Sequence, residues 1–420
     1  MSDPARHDPY RALRDAGFRR YLTGNLLGTL GLQMQAVAVG WELYERTHSA
    51  FALGLTGLVQ FLPMILFFLP VGHLIDRFDR RKVVMGALTG LSIAALGLAA
   101  VSALHGPVPL IYGLLFLSGT GRAFLGPAKS ALLPAIAPAG AFESSVAWNS
   151  GTWQMAEIIG PALGGGLLAL SRSPATVYLA HAALAAVFLL LLTGVRAPRA
   201  TRSAPVFSLD SVLEGARYVR RTPILLAAIT LDLFAVLFGG AVVLLPVFAK
   251  DILHVGPAGL GWLLAAQSIG AVATTLTLAH LPPLRHAGPA LLRAVTLFGI
   301  ATIVFGLSRS YLLSFLALAV AGAADSVSVV IRMTLSQLGT PDALRGRVSA
   351  VNSLFIGTSN ELGNFESGAL AALAGPVVSV VAGGVGTILT VAAAAAKWPE
   401  IRRLGTLEET VPTADSAARP

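Results

Sequence analysis

Eight ionisable side chains interrupt long apolar runs of this chain: Arg122, Lys129, Glu157, Asp232, Asp325, Arg332, Glu361 and Glu366. A charge placed in hydrocarbon is costly unless it is paired or faces water, so each is a candidate for carrying a proton or holding a charged ligand. The preferred order for a proton carrier is Asp325, Glu157, Asp232, Glu361, with Glu366 weaker. Lys129 and Arg332 each follow Arg122 and Asp325 by seven residues, about 10 Å along the same helix face. Both are expected to snorkel to the interface. Glu42, near the outer end of its run, could be at the surface. Asn149, Gln154, Asn352, Asn360 and Asn364 are neutral polar positions that could line a substrate cavity, and Asn360 and Asn364 share a helix face. There is no cysteine, no phosphate-binding Walker loop, no His-Glu-x-x-His and no Gly-x-Ser-x-Gly. Catalysis, ATP-driven transport, a cofactor and a metal site are therefore not expected, and His73, His254, His280 and His286 fall near the ends of runs.

The elements that must position these residues are membrane spans. The chain has 420 residues, 55% hydrophobic and 12% charged, against about 25% charged in soluble domains. Runs of ~20 apolar residues suffice to cross a bilayer, and twelve fit, centred near residues 31, 62, 93, 121, 157, 185, 237, 269, 298, 322, 359 and 386. With both termini in the cytoplasm, the inner segments hold 23 of the 30 Lys and Arg residues, and the outer loops hold only Arg46, Arg172, Lys250 and Arg309. That asymmetry is the positive-inside pattern. The net charge of +9 thus reports topology, and no nucleic-acid partner is expected. Residues 1–20 lack a cleavable signal pattern, so the first span is expected to act as an uncleaved anchor. The expected division is a cytoplasmic segment (1–17), a six-helix bundle (18–195), a cytoplasmic linker with an amphipathic helix (196–222), a second six-helix bundle (223–397) and a cytoplasmic tail (398–420). In the linker, Leu209, Val212, Leu213, Ala216 and Val219 form an apolar face expected to lie on the inner leaflet, with Ser211 and Glu214 as a capping box.

Between the uncharged residues 51–71 and 83–104 lies a hinge in which six of the seven residues 76–82 are charged. It must sit at a membrane face. Asp76 there could cap a neighbouring helix N-terminus, while Arg77, Arg80, Arg81 and Lys82 are expected to face anionic lipid or carboxylates. The chain also repeats itself. An offset of 207 takes Leu53-Gly54 to Leu260-Gly261, Gln60 to Gln267 and His73 to His280. An offset of 203 takes Gly119 to Gly322, Asn149-Ser150 to Asn352-Ser353 and Gly160 to Gly363. Parallel halves with a site between them near the midplane are a transporter arrangement.

Three blocks make the chain resemble the major facilitator superfamily. The hinge is similar to the loop motif between spans 2 and 3 through Gly72, Leu74, Asp76, Arg77, Arg80 and Arg81, with Asp79 where the family usually has Gly. In span 4, Arg122-x-x-Leu125-Gly126 resembles Arg-x-x-Gln-Gly. In span 5, Ala156-x-x-x-Gly160-Pro161-x-x-Gly164-Gly165 resembles the signature of proton-coupled exporters. Residues 337–348 are similar to the loop between spans 10 and 11 of the enterobactin-exporter group. The resemblance implies an all-α integral membrane fold of 12 transmembrane helices in two pseudo-symmetric six-helix bundles. It implies that spans 4 and 10 line the cavity. Arg122 would then serve the substrate or proton coupling, with Asp325 as its counter-ion or as the proton carrier; a static pair joining the halves is the alternative. Gly160, Pro161, Gly164 and Gly165 would seal the leak path, or serve close helix packing. Asp76 would latch the inner gate against the start of span 11.

The function expected is proton-coupled export of a medium-sized organic compound, a siderophore or a drug, across the bacterial inner membrane by alternating access. The protein is expected to be monomeric, with the substrate, protons and membrane lipid as partners. An uncoupled facilitator or importer, and a non-transporting receptor or scaffold, remain open alternatives. The repeat makes the latch asymmetric, because Asp76 maps onto Pro283. Asp76→Asn should shift the conformational balance inward, as read by accessibility labelling, and substitution of Pro283 should not; equal effects would refute the latch.

Overall fold

The computed structural model describes residues 8–196, 209–282 and 285–406, and among these every regular element is a helix. The first half holds α1 (Ala16–Thr47), α2 (Ala50–Leu66), α3 (Phe68–Arg77), α4 (Arg80–Ala103), α5 (Val108–Ile136), α6 (Phe142–Ser171) and α7 (Pro174–Thr193). A connecting helix, α8 (Leu209–Arg221), leads to α9 (Pro223–Phe238) and the short α10 (Leu245–Val247). Then follow α11 (Gly256–His280), α12 (Ala287–Leu307), α13 (Tyr311–Leu338), α14 (Asp342–Ala374), α15 (Pro376–Lys397) and the short α16 (Pro399–Arg403). Every expected span centre falls within this series, with α2 and α3 forming one span and α9 continuing to Ile252 as another.

Eight of these spans are apolar enough by themselves to cross a membrane: α4, α5, α7, α9 through Ile252, α11, α12, α13 and α15. The other four are α1, α2–α3, α6 and α14. All four carry acidic groups, and α2 is cut short at Phe67. Pro70 explains the cut, since it has no N–H to offer the carbonyl four residues back. The seventh span is broken in a similar way. After Gly239 and Gly240 it runs as a 3-10 turn (Ala241–Leu244), then α10 with Pro246, then a π turn (Phe248–Ile252). Glycine and proline both weaken a helix interior, and π turns gather where a helix has a task other than packing.

The chain divides into two compact units, residues 1–39 with 62–206, and residues 40–61 with 207–420. In the first, α4 packs on α5 and α7 around Leu88, Leu91, Ala128, Leu132, Phe188 and Leu192. In the second, α12 packs on α13 and α15 around Leu291, Val295, Ile331, Leu335 and Val391. The same pair of neighbours recurs about two hundred residues on, so the sequence repeat is also a packing repeat.

Close helix approach depends on glycine in both units. A Cβ on Gly164 would lie 2.7 Å from the Cα of Met34, and one on Gly160 would lie 2.5 Å from the Cβ of Gln33, so α6 rests directly on α1. In the second unit Gly270 and Gly322 let α11 and α13 touch backbone to backbone, at the carbonyls of Ala319 and Gln267. Dispersion and close packing are the available forces between helices in lipid, which is why small residues occupy such crossings.

The connecting helix corrects an expectation. It starts at Leu209, so Ser211 is not its N-cap residue, and the side chains of Leu209 and Ser211 lie outside the described residues. Rather than resting on lipid alone, α8 is seated on α9 and α14: Val219 packs with Ile229 and Val348, Glu214 pairs with Arg347 at 2.5 Å, and Tyr218 donates to the carbonyl of Gly339 at 2.6 Å. Leu213 is 48% exposed and Arg217 also faces outward. The start of the linker and the end of the tail lie outside the described residues.

The crossings predict a contrast between two glycines. Gly164→Ala should cost about 1–3 kcal/mol by overpacking, whereas Gly86→Ala, with nothing within 4 Å of the added Cβ, should not destabilise. Thermal unfolding of the purified proteins checks it; matching midpoints would contradict the close approach of α6 to α1.

Candidate transport site

The strongest charge cluster lies in the second unit. Asp232 on α9 and Arg332 on α13 form an ion pair, 6% and 9% exposed. The guanidinium Nε of Arg332 also donates to the hydroxyl (3.1 Å) and carbonyl (3.3 Å) of Ser328, one turn back. Arg332 therefore does not snorkel: its charge is held inside by a carboxylate from another helix. Asp325, two turns away on α13, is half-buried and has no hydrogen bond or ion pair among the described residues. Its neighbour Ser326 shares a 2.8 Å hydrogen bond with Thr275 of α11.

The first unit has a matching cluster with different charges. Lys129 on α5 donates to Asn25 Oδ1 on α1 at 2.8 Å, and Asn25 Nδ2 donates to Asn149 Oδ1 on α6 at 3.1 Å. Lys129 thus turns inward as well, contrary to the snorkelling expectation. Beside it, His181 and Gln35 share a 2.7 Å contact in the core. No sequence motif marks Asn25, Gln35 or His181. The repeat does carry a signal: the 207 offset takes Asn25 to Asp232, and the 203 offset takes Lys129 to Arg332. The two clusters are therefore counterparts, with an amide in one where the other has a carboxylate. Arg122, two turns from Lys129 on α5, is exposed; Gln154 and Glu157 on α6 are half-buried.

The hinge is braced differently from expectation. Asp79, which replaces the usual Gly, is the N-cap of α4, its carboxylate accepting from the backbone N–H of Arg81 at 2.9 Å. Arg80 donates to the carbonyl of Ala131 at 3.0 Å, and Arg81 to that of Thr193 at 2.8 Å, near the last turns of α5 and α7. Arg80 and Arg81 thus donate to carbonyls toward helix ends, where the dipole favours cations, and neither pairs with a carboxylate among the described residues. Gly72 and Arg77 lie on α3. The side chains of His73 and Asp76, and all of Pro283, fall outside the described residues, so the latch is not described. Ala156, Gly160, Pro161, Gly164 and Gly165 are all buried.

Helix α14 carries the remaining polar candidates. Asn352, Glu361, Asn364 and Glu366 are half-buried, and Asn360 is exposed. Gly57 on α2 packs against Glu361 and Asn364, and Gly54 against Gly368. One further cluster carries no motif. At the end of α1, Tyr44 hydrogen-bonds Asp251 and Glu45 pairs with Lys250 at 3.5 Å, both partners on the π turn. Lys250 lies 5.8 Å from the ring of Trp41. Glu42 is not at the surface: it is 3% exposed and pairs with Arg46 at 2.5 Å.

The Asp232–Arg332 pair predicts a non-additive response. Asp232→Asn leaves a buried guanidinium without its carboxylate and should cost about 3–5 kcal/mol. The double variant Asp232→Asn, Arg332→Gln should regain much of that loss in a thermal unfolding assay. Additive losses would mean that the pair is not coupled.

Comparison with known proteins follows the same lines. A family profile described as "Transmembrane secretion effector" matches residues 7–410. The enterobactin exporter EntS of Citrobacter koseri is 29% identical over 377 residues, covering 89% of each chain. The enterobactin exporter EntS of Escherichia coli O81 is 29% identical over 407 residues, covering 95% of this chain and 96% of that protein. Among solved structures, a bacterial homologue of the iron transporter ferroportin in an inward-facing state matches with TM-score 0.71 and 16% identity, covering 92% of this chain and 98% of that one. A D-xylose–proton symporter matches with TM-score 0.69 and 17% identity, covering 93% and 99%. These two likenesses show the fold. The chain is a multi-pass integral membrane transporter, not an enzyme, and it belongs to the transmembrane secretion effector family of the major facilitator superfamily.

Proposed function

We propose that the protein is a secondary active exporter of the bacterial inner membrane that moves a medium-sized organic compound, a siderophore or a drug, outward by alternating access in exchange for protons. The observation that carries this reading is the buried Asp232–Arg332 pair, with Asp325 two turns away on the same helix as Arg332. Three charges kept in apolar helices do more than packing requires. Asp325 is the preferred proton carrier. When ionised it competes with Asp232 for Arg332, and when protonated it leaves the pair undisturbed. Two helices, α9 and α13, thus meet through a contact whose strength follows one proton. Glu157 is the second choice; Asp232 is engaged by its arginine. Arg122 and the amides of α6 and α14 are proposed to line the substrate path.

Relatives named as enterobactin exporters support the direction and the substrate size. The positive-inside pattern supports cytoplasmic termini, and hence a hinge on the cytoplasmic side, where Asp76 is proposed to latch the inner gate. On the opposite side, the contacts of Tyr44 and Glu45 with the π turn must part for release outward. The rival reading is an uncoupled facilitator.

Proteoliposomes with an imposed pH gradient and enterobactin as first substrate separate the two. Asp325→Asn should abolish gradient-driven accumulation and preserve substrate exchange at equal pH. Gradient-driven accumulation at the normal level in this variant and in Glu157→Gln would sink the proton-carrier assignment.

A further inference from the structure

The two repeat-related clusters differ in one respect that packing does not explain. Arg332 has a carboxylate, Asp232. Its counterpart Lys129 has only an amide, Asn25, and no carboxylate lies within ion-pair distance of it among the described residues. A cation in a span without an anion is the expensive arrangement, and the second unit shows that this fold can supply a carboxylate at the matching place.

The hydrogen bonds around Lys129 all run one way. The ammonium has three N–H groups, and one is used on Asn25 Oδ1. Because Lys129 can only donate, it fixes Asn25 with its oxygen toward the ammonium and its NH2 toward Asn149. Asn149 Oδ1 accepts that N–H, which leaves the NH2 of Asn149 as a donor. No acceptor for the remaining N–H groups of Lys129 and Asn149 lies within hydrogen-bond range among the described residues. Asn25 is 2% exposed, while Lys129 and Asn149 are half-buried. The small cavity lined by Asn25, Thr29, Lys129 and His181 measures about 10 Å³, room for one water at most. An organic anion does not fit there and must reach Lys129 through the part of it that is solvent-accessible.

We infer that Lys129 and Asn149, backed by Asn25, form a subsite for an anionic oxygen group of the substrate, a carboxylate or an ionised phenol, and that the exporter selects organic anions. The inference rests on the transport reading and names its substrate class. The amide at Asn25 is the selective element: it orients Lys129 without neutralising it, and so leaves the charge for the ligand.

The test uses salicylate and its neutral analogue salicylamide on the purified full-length protein, with binding read by calorimetry and by thermal shift in the absence of any gradient. A failure of proton coupling would leave these readouts untouched, so the two proposals fail separately. Salicylate should bind the wild type and salicylamide should not. Lys129→Gln should lose ~10- to 100-fold in salicylate affinity, the range for a hydrogen bond to a charged group, and Lys129→Arg should retain binding. Asn25→Asp is the decisive variant. It installs the carboxylate found in the second unit, so it should fold with equal or higher thermal stability and still lose salicylate binding. Salicylate binding to Asn25→Asp at wild-type affinity would overturn the inference, as would equal binding of salicylamide or no salicylate binding by the wild type.

Discussion

A charge can remain inside an apolar helix only if something answers it, and the contact between Asp232 and Arg332 is where that constraint acts most strongly. It ties α9 to α13 across the second unit. Removing either partner would leave the other in an environment that cannot solvate it. The pair thus fixes which faces of the two helices meet. The first unit answers the constraint differently: Lys129 is met by the amide of Asn25 on α1, itself held by Asn149 on α6, which orients the ammonium but does not cancel it.

Around these charges the helices are held by geometry more than by apolarity, since lipid competes equally for apolar side chains. Glycines at Gly160, Gly164, Gly270 and Gly322 bring backbones together. Toward the helix ends Arg80, Arg81 and Tyr218 donate to backbone carbonyls of neighbouring helices. Basic residues that look like a topology signal in the sequence are therefore also structural: the same guanidinium that marks a membrane face braces the neighbouring span.

The span series was legible because a bilayer imposes one length on every crossing, and run length survives in a single sequence. The repeat was legible through Asn149-Ser150, Gly160 and their images. What was hidden are the partners. Lys129 and Arg332 looked like snorkelling residues because their answers, Asn25 and Asp232, lie about a hundred residues away on other helices, and periodicity carries no information about such contacts. Asn25 is one amide among apolar neighbours, and only the offset that maps it onto Asp232 marks it. Asp79 is readable in principle, as an acidic residue just before a helix start, at a position where the family motif usually has Gly. The cluster of Tyr44, Glu45, Lys250 and Asp251 depends on a π turn, which no local pattern signals.

The central claim is that substrate and proton movement are joined through charges held within the spans. It is tested most directly by trapping a pH-sensitive dye in proteoliposomes and imposing a gradient of enterobactin with no initial pH difference. The account predicts that substrate flow drives protons in the opposite direction, so that a pH difference builds up and collapses when a protonophore is added. Equilibration of the substrate with no change in internal pH would contradict it.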